Sequence, residues 1–165
     1  MAHAISDRPP NVLGLSADWK AGAWAGVIAG LAFVMIEMLG VMLLQGQSPW
    51  GPPRMIAAMA LGPGILEGPA AFNFKYLMTA MMIHIPMSVA FGLFLAWAVH
   101  RLQMVAALAV GLAFGIAMYL VNFYPIADAL FPWFANARGM LSAVAHAMFG
   151  IIAAGAYVGL RRTPR

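Results

Sequence analysis

The chain has 165 residues, of which 64% are hydrophobic and only 8% charged, with a formal net charge of +4 and no cysteine. A charged share so far below the roughly 25% of soluble domains makes lipid the solvent for most of the chain. Disulfides, thiolate metal sites and cysteine nucleophiles are excluded, and the few basic residues read as membrane topology signals, not as a nucleic-acid footprint.

At ~20 residues per crossing, four helices consume about 80–100 residues. That leaves room for one membrane domain, residues 19–162, and for no separate soluble one. Residues 1–18 carry Asp7, Arg8, Pro9 and Pro10 and lack an apolar core, so they read as a polar tail and not as a cleavable signal. Residues 163–165 form a second short tail.

The first span is predicted over 19–44. Gly22, Gly26 and Gly30 recur every four residues along one face. Small residues at that spacing let a second helix approach closely, because packing and not water exclusion drives association in lipid. Glu37 follows seven residues after Gly30 on the same stripe and therefore faces protein. Residues 45–76 are a long connection broken by Pro49, Pro52, Pro53, Pro63 and Pro69. Within it, 53–61 suits a short helix lying on the membrane surface, with Trp50 and Arg54 as interfacial anchors. Nine residues reach only about 14 Å as helix, too short for another crossing.

The second span is predicted over 77–99 and contains His84 and the helix-kinking Pro86. His100-Arg101 closes it. The third, over 104–123, carries Gly111 and Gly115 and ends near Asn122. Trp133 and Arg138 anchor the next aromatic loop, and Asp128 and Arg138 stand where they can pair across it. The fourth span, 139–160, holds Ser142, His146 and Gly150 near one face and stops at Arg161-Arg162.

Parts of this plan occur twice. AGVIAGLAF from Ala25 echoes AALAVGLAF from Ala106, Pro49-Trp50 with Arg54 echoes Pro132-Trp133 with Arg138, and Phe91-Gly92 echoes Phe149-Gly150. The fold expected is an all-α membrane protein: four transmembrane helices as two parallel-repeat hairpins, with short interfacial helices in the outer loops. Arg8, Lys20, Arg101, Arg161, Arg162 and Arg165 fall on the side of the termini, against Arg54, Lys75 and Arg138 opposite. By the positive-inside rule both termini are cytoplasmic.

An ionisable group inside a span demands a reason. Glu37, His84 and His146 each lie about seven residues from the outer end of their span, hence ~10 Å below that surface at 1.5 Å per residue. Two facing histidines can ligate a haem b iron, and one carboxylate with two imidazoles can hold a transition metal or relay protons. The plainer reading is that no cofactor is bound and these groups are hydrogen-bonding glue between helices. The fourteen methionines suit helix packing better than copper. No phosphate loop, zinc-protease helix, nucleophile elbow or dinucleotide fingerprint is present, so nothing points to an enzyme.

The stretch NFYPIADALFPWFANARGMLSAVAHAMFG, from Asn122 to Gly150, resembles the C-terminal hairpin of small four-span bacterial inner-membrane proteins of uncharacterised function. Some of these carry the label "sodium:proline symporter". The resemblance implies four spans and a bacterial inner-membrane location, and it implies no substrate. Three functions are then open. The first is an accessory or scaffolding subunit of a larger membrane complex, for instance a respiratory one, with a membrane-protein partner or a homo-oligomer. The second is a haem or metal protein using His84 and His146. The third is a small oligomeric proton-coupled permease in which Glu37 is the protonatable group.

Overall fold

The computed structural model describes residues 16–161. The polar tail up to residue 15 and the basic residues Arg8, Arg162 and Arg165 used for orientation lie outside the described residues. Six α-helices follow in order: α1 (Trp19–Gln45), α2 (Gly51–Leu61), α3 (Phe74–Val99), α4 (Met104–Val121), α5 (Ala127–Leu130) and α6 (Met140–Leu160). Four segments are long and apolar enough to cross a bilayer: α1, α3, α4 extended to Leu130, and α6. The chain is thus an all-α, multi-pass membrane protein.

Local chemistry sets the helix ends. Asp18 caps α1 by accepting from the Ala21 amide at 3.0 Å, satisfying one of the donors a helix start leaves open. Gly46 ends α1 in the left-handed conformation, φ 64°, which costs a glycine little. Asn73 caps α3 through the Tyr76 amide, so this span starts three residues earlier than expected. The third span runs past residue 123 because a wide π turn (Asn122–Ile126) carries the helix through Pro125 and into α5. A looser turn of that kind relieves the hydrogen bond a proline cannot make.

The four long helices form a bundle with α1 and α6 at its centre. α3 packs along α1, α4 packs along α6, and α3 meets α4 only slightly. Glycine makes the two outer pairings close. A Cβ on Gly92 would strike the backbone of Gly22 and Gly26, and one on Gly150 would strike that of Gly111 and Gly115. Gly30 is closed over by the Ser88 side chain. The glycine stripes therefore meet one another within this chain.

The two pairings share one contact pattern. Ser88 O lies where a Gly26 Cβ would go, as His146 O does at Gly115. The contacts thus pair Gly22 with Gly111 and Gly26 with Gly115. The sequence echo instead sets Gly30 against Gly111, about two helical turns away. In the contact register, His84 and Ser88 on α3 correspond to Ser142 and His146 on α6. Each helix carries one histidine and one serine four residues apart, in opposite order.

The bundle is solid at the end where α1 starts and α6 stops. Leu95, Val99, Ala153, Ala154 and Tyr157 are buried there, and the Tyr157 hydroxyl accepts from the Asp18 amide at 3.1 Å. Arg161 lies over the Tyr157 ring and donates to the carbonyls of His100 and Leu102 at 2.6 and 2.8 Å, closing the α3–α4 turn. The His100 carbonyl, at the α3 C-cap, is one that a helix end leaves open, and a cation suits it well.

Candidate functional site: a cavity in the loop-side half of the bundle

The half of the bundle nearer the long loops is hollow. A cavity of about 450 Å³ runs from the loops down to Phe91 and Phe149. At the loop end it reaches exposed residues, among them Gln45, Gln47 and Asn136. It also reaches the apolar flank of the bundle, where its lining residues Met87 and Ile126 are each 39% exposed.

Two loop structures roof this space. The first is α2, which packs mainly on α3 and offers Met55, Ile56 and Met59 to the cavity. The 3₁₀ turn Pro63–Leu66 follows it, and Arg54 holds the whole connection together. Its guanidinium donates to the carbonyls of Ile65, Glu67, Gly68 and Pro69, a use of arginine's rigid fork of donors. The second roof is the 3₁₀ segment Pro132–Ala137. The Trp133 indole N–H donates to Met55 O at 3.1 Å and ties the two roofs together.

The four residues expected as interfacial anchors do sit in these loops, with specific tasks. Trp50 precedes α2, its ring 4.8 Å from that of Phe72. Arg54 and Trp133 make the bonds just described. Arg138 pairs with Asp128, as the sequence suggested, donates to Phe123 O at 2.6 Å and lies over the Tyr124 ring at 4.9 Å.

Glu37, His84 and His146 all line the cavity. They are 7%, 8% and 5% exposed, so none points to acyl chains. They do not share one level. The Ser142 side chain reaches the Glu37 carboxyl, while His146 packs on Phe33 one turn deeper, so Glu37 lies ~6 Å nearer the loops at 1.5 Å per residue. The inner group is built around Phe33. Its ring stacks on His84 at 5.4 Å and meets His146 edge-on at 4.8 Å.

The hydrogen bonds fix which nitrogen each imidazole offers. His84 Nε2 lies 3.0 Å from Gly30 O, and His146 Nδ1 lies 2.7 Å from Ser142 O. A carbonyl only accepts, so each of these nitrogens carries a hydrogen. In the neutral ring the other nitrogen is then an acceptor. His84 Nδ1 and His146 Nε2 have no protein partner, and no buried side-chain nitrogen or oxygen among the described residues is both sealed and unpaired. Both nitrogens are therefore accessible, on side chains that line the cavity. The acceptor for His84 belongs to α1, and the Ser88 hydroxyl stands 3.3 Å from the same nitrogen. Ser88, one turn on, donates to His84 O at 2.8 Å and steadies that turn.

This arrangement bears on what the trio can hold. Among the described residues no three His, Asp or Glu side chains gather closely enough to bind one metal ion. Phe33 lies against both imidazoles, and the His84 nitrogen facing α1 is engaged by Gly30. The groups meet whatever enters the cavity as separate acceptors.

Comparison with family models, curated proteins and solved structures returns no match. The site must speak for itself.

Phe33, Ser88 and Ser142 complete the site, and spacing alone did not single them out as a set. The i, i+4 pairs His84/Ser88 and Ser142/His146 were a readable sign of two polar faces turned inward. Phe33 carried no such sign, because one phenylalanine in a span looks like any other.

Proposed function

We propose that this protein is a membrane-embedded binding protein or carrier for a small, mostly apolar molecule, which it takes into the loop-side cavity. One observation carries the reading: a cavity of about 450 Å³ is lined by a buried carboxyl and two imidazoles, with apolar walls around them. Small-molecule sites commonly have this composition, apolar walls for affinity and a few aimed polar groups for orientation. The solid opposite half suits a bundle closed on one side and open on the other. In the cell it would sit in a bacterial inner membrane with both termini cytoplasmic, placing the cavity on the outer side.

The accessory-subunit reading drew on glycine-lined faces suited to close packing and on the small soluble mass. Those faces are occupied within the chain by Gly92, Ser88 and Gly150, so the cavity is the better guide. Native mass spectrometry of the protein released from lipid discs tests the proposal, together with organic extraction of the purified protein. A stoichiometric small molecule that is absent from a folded Ile56→Trp variant, which fills the cavity from its roof, supports it. A protein that carries none, and is not stabilised by any member of a broad set of apolar amphiphiles, refutes it.

A further inference from the structure

The deep part of the cavity is one-sided. The carboxyl of Glu37, His84 Nδ1 and His146 Nε2 are turned inward, and all three accept hydrogen bonds or attract positive charge. Among the described residues Glu37 has no cationic partner, the one ion pair being Arg138 with Asp128. Arg138 is the one Lys or Arg in the cavity lining. Its guanidinium is committed to Asp128, Phe123 O and the Tyr124 ring.

The walls add to this bias. Phe149 meets both Phe33 and Phe91 around the floor, and Phe123 lies beside His146. The faces of such rings are electron-rich and attract cations, more strongly when water is excluded. A buried carboxylate without a counter-charge is costly, and a cation arriving with the ligand would offset that cost. At that depth an anionic or acceptor-only ligand would face acceptors, because the amide donors of Gln45, Gln47, Asn122 and Asn136 stand nearer the loops.

Resting on the binding function proposed above, we infer that the occupant is a protonated amine with an apolar body, its ammonium set against Glu37 and its N–H groups shared with His84 and His146. Access from the apolar flank near Met87 and Ile126 suits a molecule that also partitions into lipid.

A matched pair of probes tests this: phenethylammonium and its uncharged isostere propylbenzene, titrated calorimetrically into the protein in lipid nanodiscs, with empty discs as the blank. The wild-type protein should bind the ammonium at least tenfold more tightly than the hydrocarbon. Glu37→Gln should bring that ratio close to one while still binding propylbenzene, which also shows that the variant is folded. Equal affinities in the wild type, or an unchanged ratio in Glu37→Gln, would overturn the inference and leave the cavity as a site for neutral molecules. Binding of neither probe would overturn the binding function as well.

Discussion

Gly150→Ala is the sharpest test of how the bundle is closed. The added methyl would strike Gly111 O and come within 2.8 Å of Gly111 C and 3.0 Å of Gly115 N. These are backbone atoms of α4 and cannot rotate away, so α4 and α6 must separate. Overpacking of this kind costs about 1–3 kcal/mol, and the absence of a movable side chain places the effect near the upper end. A loss of ~3 kcal/mol is about a hundredfold in the folded-to-unfolded ratio. Gly159→Ala is the control, since a Cβ there meets nothing within 4 Å. Reversible unfolding in mixed micelles, followed by tryptophan fluorescence, reads both. Equal stability of the two variants would refute the backbone-on-backbone crossing.

Two further substitutions probe the ends. Arg54→Ala removes the donors to four carbonyls of residues 65–69, and should raise hydrogen exchange and proteolysis in that loop while leaving the spans protected. Arg54→Lys should not restore it, because an ammonium lacks the planar fork. Arg161→Gln should cost about 1.5–3 kcal/mol, the value of a charge-assisted hydrogen bond, and should increase amide exchange at Leu102 and its neighbours in the α3–α4 turn.

Much of the bundle was legible in the sequence. Runs of apolar residues mark spans because a bilayer fixes their minimum length, and the stripe on which Glu37 follows Gly30 correctly turned the carboxyl inward. The pairing of Asp128 with Arg138 was likewise foreseeable from charge and loop length. Partners were harder to read. A glycine stripe announces a close approach without naming what approaches: the contact expected at Gly22 and Gly26 is present, and its partner, Gly92 on α3, is what the stripe left open. Arg54 and Arg161 bind carbonyls, which every residue possesses and which therefore leave no trace in a sequence. The cavity is an absence of side chains between α1, α3, α4 and α6. It became visible only when Phe33, Glu37, His84 and His146 were set around the same space.

The account rests on a bundle hollow on the loop side and sealed on the other, and the natural lack of cysteine makes this directly measurable. Ser142→Cys places a thiol beside Glu37, and Ala153→Cys places one in the buried half. A membrane-impermeant methanethiosulfonate bearing an ammonium group, applied to sealed vesicles of each orientation, should modify Ser142→Cys from the loop side alone and Ala153→Cys from neither side. Modification of Ala153→Cys at a similar rate, or a Ser142→Cys thiol that reacts only after unfolding, would contradict it.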